Sequence, residues 1–304
     1  MKTLVTGALG ATDAELDMLH AAGLEITLHP DERKPVEHPE QFEAVICNGL
    51  FLYHDIQAFS NLRYIQLTSA GLDRVPVAYI QSHGIELHNA AGVYSVPMAE
   101  WTIMRILELY KNAARLYENQ AAHRWEKDRS WRELSGKTAC IVGYGAYGAE
   151  TAKRLKAFDV QVLAVNRTIK ESPWVDTFYP LEKLEDGLAQ ADIVILAIAL
   201  TDQTRHLMDK ARLHSMKPGA ILINAARGGL VDEAALKEAL QCGHIAGAAL
   251  DVFETEPLSD SNYFWDVPNL FISSHNSFVG EKNHARLMEC VTTNLSYWSV
   301  IHEQ

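Results

Sequence analysis

Four side chains in the second half of the chain have types and spacing that could do chemistry together. Arg227 follows the run ending Asn224-Ala225-Ala226 and precedes Gly228-Gly229, and Asp251 follows the apolar run that ends at Leu250. Glu256 stands in Phe253-Glu254-Thr255-Glu256-Pro257, and His275 closes Phe271-Ile272-Ser273-Ser274. An arginine can hold a carboxylate through two parallel hydrogen bonds while polarising the neighbouring carbonyl. A histidine can pass a proton to that oxygen as hydride reaches the carbon. A carboxylate beside the histidine favours its charged form and fixes its orientation. Singly, each has a bland alternative as a helix cap, a loop carboxylate or a structural histidine. In this order, at the ends of apolar runs, they point to a reductive site.

Hydride transfer needs a donor, and the stretch from Thr138 to Thr168 has the form of a site for one. Lys137-Thr138-Ala139-Cys140-Ile141-Val142 reads as a short buried strand running into Gly143-Tyr144-Gly145-Ala146-Tyr147-Gly148, with G-x-G-x-x-G spacing. Ala149, Ala152, Leu155 and Phe158 then share one helical face, and Val160 to Val165 reads as a second strand. Glycines placed between strand and helix suit a dinucleotide pyrophosphate, which needs a tight turn, close backbone approach and close helix–strand packing. The phosphates would meet free N–H groups at the positive end of a helix dipole. The cofactor-binding set is therefore Gly143, Gly145, Ala146, Tyr147 and Gly148, with Asn166, Arg167 and Thr168 at the tip of the second strand. That tip has no carboxylate to hold a ribose 2′-hydroxyl, and it offers a guanidinium and a hydroxyl to a 2′-phosphate. NADP is expected ahead of NAD, unless Arg167 is merely a solvated loop residue.

The elements that must position these groups alternate along the chain. Strands are expected at Thr3-Leu4-Val5, Leu24 to Leu28, Phe42 to Cys47, Leu62 to Leu67 and Gly84 to His88. Others follow at Ile193 to Ala197, Ala220 to Asn224, Ile245 to Ala249 and Leu270 to Ser273. Helices are expected over Ala14 to Ala22, Ala99 to about Glu118, Asp232 to Gln241 with Asp232 as N-cap, and Glu281 to Tyr297. Such alternation implies an α/β chain with two doubly wound parallel sheets. Thr6-Gly7-Ala8-Leu9-Gly10 imitates the T-G-x-x-x-G start of short-chain dehydrogenases, and Tyr179 and Lys183 have the Y-x-x-x-K spacing. Pro180 directly after Tyr179 disfavours the helix that pairing needs, so this glycine turn is read as a decoy.

At 304 residues, 48% hydrophobic and 22% charged, the chain can form one large or two ordinary domains with real cores. Its formal net charge of −12 speaks against nucleic-acid or membrane partners, so an anionic ligand must be held by local donors. Cys47, Cys140, Cys242 and Cys290 form no C-x-x-C pair and are read as reduced thiols, with no metal site expected. Neither a signal-peptide pattern nor a membrane-length apolar run is present, and the expected location is the cytoplasm.

The run Ile223-Asn224-Ala225-Ala226-Arg227-Gly228-Gly229-Leu230-Val231-Asp232-Glu233 resembles the arginine signature of the D-isomer-specific 2-hydroxyacid dehydrogenases. Ala249-Leu250-Asp251-Val252-Phe253-Glu254-Thr255-Glu256-Pro257 resembles their glutamate signature, and the likeness spans almost the whole chain. The resemblance implies Arg227 as substrate-carboxylate binder and carbonyl polariser, His275 as acid/base and Glu256 as its partner. Asp251 would meet the nicotinamide end, with Ala199 and Ala225 also at the cofactor. Ser69-Ala70-Gly71-Leu72-Asp73 resembles the family's lid loop, whose Ala70 and Gly71 N–H groups would hold the substrate carboxylate.

It further implies a Rossmann cofactor domain over 99–276 inserted into a flavodoxin-like substrate-binding lid of 1–98 and 277–304, with the active site in the cleft. The stretch Ala99 to Trp131 resembles the family's dimer-forming arm. Two departures stand out: Ser274 where proline usually precedes the histidine, and Ala199-Leu200-Thr201 where Pro-Leu-Thr is usual. The apolar loop Asn48-Gly49-Leu50-Phe51-Leu52-Tyr53 either lines a pocket for larger 2-oxo acids or packs as core. The expected activity is reduction of a 2-oxo acid to a D-2-hydroxy acid. A glyoxylate/hydroxypyruvate reductase and a non-catalytic nucleotide-sensing corepressor on the same fold are the alternatives.

Overall fold

The computed structural model describes residues 1–169 and 171–302, with only the backbone described for 299–302. Two units share the chain: Met1–Tyr94 with Gly280–Gln304, and Ser95–Val279. The sequence reading set these divisions at 98/99 and 276/277. The first division falls earlier because the helix opening the second unit begins at Ser95, with Pro97 in its first turn, where proline removes no intrahelical bond.

The first unit runs β1 (Lys2–Thr6), α1 (Asp13–Ala21), β2 (Glu25–His29), β3 (Ala44–Cys47), β4 (Tyr64–Leu67), α2 (Val77–Ser82) and β5 (Glu86–His88). The strands are all parallel in the order β2-β1-β3-β4-β5. Neighbouring residues on a strand point to opposite faces, and two cores result. Val5, Ile46 and Tyr64 pack with Leu19 of α1 on one side, whereas Leu4, Val45 and Ile65 pack with Ile80 of α2 on the other. Burial of every residue in β3 and β4 is what helices on both faces of a parallel sheet demand.

The second unit contains α3 (Ser95–Tyr110), α4 (Ala113–Ala121), β6 (Thr138–Val142), α5 (Ala146–Lys156), β7 (Gln161–Asn166), β8 (Thr177–Pro180) and α6 (Leu184–Gln190). It continues through β9 (Ile193–Leu196), α7 (Lys210–Ser215), β10 (Ile221–Asn224), α8 (Glu233–Gln241), β11 (Gly247–Leu250) and β12 (Leu270–Ile272). Its seven strands are parallel in the order β12-β11-β10-β9-β6-β7-β8. Strand order reverses beside β6, and open α/β sheets bind ligands at such a switch point, beyond the carboxyl ends of the strands. Finally α9 (Asn283–His302) returns to the first unit, packing Leu287, Val291 and Leu295 on the α1 side of its sheet.

Two expectations need correction. The single helix from Ala99 to Glu118 is two helices, α3 and α4, because Asn112 adopts left-handed backbone (φ 50°) and its side-chain amide is held by Asp128. Strand β8 was missed, being short and at the sheet edge, where Pro180 costs no ladder bond. Asp232 caps α8 as expected, accepting the Ala235 N–H at 3.0 Å. Among the described residues no helix is long and apolar enough to cross a membrane.

Candidate active site

Each glycine of the loop after β6 answers a different steric demand. Gly143 has φ +98°, and a Cβ there would lie 2.5 Å from the Ile198 nitrogen. At Gly148 a Cβ would lie 2.5 Å from the Gly143 oxygen, so only glycine lets α5 pack this closely on β6. Gly145 is the opposite case: a Cβ there would meet nothing within 4 Å. Gly145 is the N-cap of α5 and among the described residues no side chain caps that helix, leaving its first N–H groups for an outside acceptor. Tyr147 offers its backbone only, because its hydroxyl hydrogen-bonds Thr102 at 2.7 Å and burial pushes that hydroxyl's pKa upward.

At the tip of β7, Asn166 ties two segments together. Its amide oxygen accepts the Tyr144 N–H at 3.4 Å, and its amide nitrogen donates to the Thr168 carbonyl at 2.8 Å. Arg167 and Thr168 are exposed beside it. After β9, Ala199 is exposed, and its loop is held by buried Thr204. The Thr204 hydroxyl donates to the Ala199 carbonyl at 2.8 Å and accepts the Thr201 N–H at 2.7 Å.

Arg227, Glu256 and His275 follow the C-terminal ends of three neighbouring strands, β10, β11 and β12. Asn224, almost fully buried, shapes the first of these turns, donating to the Arg227 carbonyl at 2.9 Å and accepting the Ala226 N–H at 3.1 Å. Ala225 is buried within that turn, and Arg227 emerges half-buried. A Cβ on Gly228 would sit 1.9 Å from the Phe253 carbonyl carbon, so this glycine alone lets the arginine turn lie against the Phe253–Glu254 backbone. Glu256 is fixed in turn: one oxygen accepts the Phe253 N–H at 2.9 Å and the other meets His275 Nδ1 at 2.7 Å. That pairing occupies Nδ1 and turns Nε2 away from the carboxylate.

Asp251 is fully buried, and its carboxylate is committed to the histidine loop. Oδ1 accepts the Ser273 hydroxyl at 2.6 Å and the Asn276 N–H at 2.8 Å, and Oδ2 accepts the Ser277 N–H at 2.8 Å. The Asp251 carbonyl also accepts the His275 N–H at 2.8 Å. These bonds hold His275 in left-handed backbone (φ 51°), a conformation that costs a side-chain-bearing residue about 1–3 kcal/mol. The sequence reading missed this bracing, and Asn224 and Gly228 as well; Gly228-Gly229 directly after the arginine was the one available signal. Asp251 Oδ2 accepts a single bond among the described residues and retains a lone pair for another donor.

In the first unit, Ala70 and Gly71 follow β4. Their carbonyls are tied by Asn89 (2.7 Å) and Ser69 (3.2 Å), while among the described residues their N–H groups have no protein acceptor. The apolar loop after β3 divides: Leu50 is buried and Phe51 packs edge-on against Phe59, whereas Leu52 and Tyr53 are exposed.

The family model for the D-isomer specific 2-hydroxyacid dehydrogenase NAD binding domain matches residues 103–277. The chain is 36% identical to a glyoxylate reductase of Thermofilum pendens, over 79% of this chain and 73% of that protein. It is 31% identical to a D-3-phosphoglycerate dehydrogenase of Archaeoglobus fulgidus over 90% of this chain, though it spans only 53% of that longer protein. Among solved structures, a D-isomer specific 2-hydroxyacid dehydrogenase of Xanthobacter autotrophicus Py2, in complex with NADPH and MES, matches at 28% identity. Its TM-score is 0.78, over 97% of this chain and 93% of that one. A nucleotide-binding sheet with an open glycine loop, and an arginine, a glutamate and a histidine at the ends of adjacent strands, thus coincide with these matches: the chain belongs to the D-isomer-specific 2-hydroxyacid dehydrogenase family.

Proposed function

We propose that this chain is an NADP-preferring 2-oxo acid reductase, working reversibly as a D-2-hydroxyacid dehydrogenase. The observation that carries the reading is the 2.7 Å pair between His275 Nδ1 and Glu256 in a loop braced by Asp251. Glu256 fixes the orientation of the imidazole through Nδ1, so Nε2 gives a proton to the substrate oxygen during reduction and takes it back in oxidation. Arg227 holds the substrate carboxylate and polarises the adjacent carbonyl. Family resemblance supports Ala70 and Gly71 as further carboxylate donors, and their unaccepted N–H groups suit that role.

The residues fit a dinucleotide: the space at Gly145 admits a pyrophosphate, and the uncapped start of α5 supplies N–H groups from Ala146, Tyr147 and Gly148. When bound, the cofactor supplies the hydride. Arg167 and Thr168 would take the 2′-phosphate, Ala199 and Ala225 would serve the dinucleotide, and Asp251 would serve its nicotinamide end. The relatives' names place glyoxylate among the substrates to test, while exposed Leu52 and Tyr53 favour larger apolar 2-oxo acids. The reading includes the cytoplasm as location and a homodimer formed through the arm, where Trp125 is 97% exposed and Tyr117 63%. Sedimentation across a dilution series tests the dimer; a monomer throughout would remove it.

The test of function is oxidation of NADPH and of NADH against 2-oxo acids from glyoxylate and hydroxypyruvate to phenylpyruvate. Turnover favouring NADPH is expected, and His275→Ala should lower it about 10²- to 10⁴-fold with NADPH binding retained. NADPH binding with no turnover on any 2-oxo acid would instead support a nucleotide sensor.

A further inference from the structure

The residue between the first two glycines, Tyr144, is not explained by cofactor binding. Its ring is buried edge-on against Phe178 of β8, with centroids 5.2 Å apart, and an apolar ring would fill that place equally well. Its hydroxyl, however, meets the Ser172 hydroxyl at 2.6 Å. Ser172 lies beyond Arg167 on the connection from β7 to β8, and its hydroxyl also accepts the Trp174 N–H at 3.2 Å. The same tyrosine donates its backbone N–H to Asn166, whose amide grips the Thr168 carbonyl. One residue of the glycine loop is thus linked to both sides of Arg167: upstream through Asn166 and downstream through Ser172.

We propose that Tyr144 and Ser172 form a latch that sets the position of Arg167 and Thr168 and thereby cofactor choice; this rests on the NADP reading above. A surface guanidinium free to wander binds a phosphate weakly, because its ordering must be met from the binding free energy. The latch holds Asn166 and Ser172, on either side of Arg167 and Thr168, in advance, and it does so from the glycine loop that carries the pyrophosphate. The spacing between the two anion-binding groups is thereby fixed. NADH, lacking the 2′-phosphate, gains nothing from that spacing. Tyr144 and Ser172 touch no substrate atom in this scheme and are positioning residues.

The test compares kcat/KM for NADPH with that for NADH in Tyr144→Phe, Ser172→Ala and the double variant, with Arg167→Ala alongside. Loss of one neutral hydrogen bond predicts an NADPH-over-NADH ratio lower by about 3- to 10-fold in each single variant, through KM for NADPH rather than kcat. The double variant should fall no further than Ser172→Ala alone, since both singles remove the Tyr144–Ser172 bond and only Ser172→Ala also frees the Trp174 N–H. Ser172→Thr, which keeps the hydroxyl, should restore the ratio. An unchanged ratio in both singles while Arg167→Ala lowers it would overturn the latch alone, as would additive losses in the double variant. Equal weakening of both cofactors by Arg167→Ala would overturn the 2′-phosphate reading and the latch with it.

Discussion

The two parallel sheets of this chain meet the same problem, donors collecting at the carboxyl ends of strands, and solve it in opposite ways. In the seven-stranded unit the turn after β6 leads to a helix whose N-terminus has no side-chain cap among the described residues, beside open space at Gly145. In the five-stranded unit the chain supplies its own anions. Glu32 accepts the Thr6 hydroxyl and the N–H groups of Asn48 and Gly49, each at 2.7 Å, across the strand-order reversal between β1 and β3. The helix after β1 is closed as well, because Thr12 and Glu15 form a reciprocal capping box. A helix start binds a ligand only where the sequence withholds its own carboxylate. Thr6-Gly7-Ala8-Leu9-Gly10 offers no such opening for that reason, and the space at Gly7 is taken, since a Cβ there would lie 2.3 Å from the Pro30 oxygen.

The largest expected effect comes from filling the open side. Gly145→Ala adds a methyl that touches no protein atom within 4 Å, so stability should move by no more than about 1 kcal/mol. On the proposed reading the methyl stands where the pyrophosphate would approach, and dinucleotide affinity should fall on the order of a hundredfold. Calorimetric titration with NADPH, beside a thermal melt, reads both. Retained affinity would mean that the phosphates lie elsewhere and that the contrast between the units is misdrawn.

How much of this was legible in sequence depends on the range of the interactions. Gly143, Gly145 and Gly148 could be read because strand, turn and helix are local and periodic, and Asp232 announced its helix for the same reason. Arg227, Glu256 and His275 could be placed at strand ends, but their bracing could not. Asp251 meets Ser273, Asn276 and Ser277 through a β-crossover, and Gly228 is needed because of a backbone beyond the next helix. Glu32 carried no signal at all, sitting in a polar loop far in sequence from Asn48. The break at Asn112 was hidden because the apolar pattern continues past it, while a left-handed backbone angle and a bond to Asp128, distant in sequence, end α3.

Emptying the closed side should have a smaller effect, confined to stability. Glu32→Ala leaves the Thr6 hydroxyl and the Asn48 and Gly49 N–H groups without their acceptor, partly within reach of water. A loss of about 1–3 kcal/mol is expected in urea unfolding. Glu32→Gln, which offers one carbonyl oxygen and turns an amide toward donors, should fall between wild type and alanine. NADPH affinity should not respond to either change. A loss of cofactor binding would show that the five-stranded unit's anion site is not the self-contained feature described.

The smallest effect belongs to the cap of α1, and pH reads it most directly. Glu15 is held well below the ordinary carboxyl value of 4.5, down to about 2, first by the Thr12 backbone N–H, then by His284 of α9 and the Thr12 hydroxyl. The folded state thus prefers this carboxylate ionised more strongly than the unfolded chain does. Its contribution is fully present above about pH 4.5 and is lost as the pH falls towards about 2. The group is reached and screened by solvent, so the contribution is modest. Glu15→Gln cannot titrate: it should be slightly less stable than wild type at neutral pH and converge with it in acid. Thermal melts of the two proteins between pH 7 and the acid limit of folding measure that convergence. Parallel curves would mean that Glu15 closes its helix by hydrogen bonding alone, with no share for its charge.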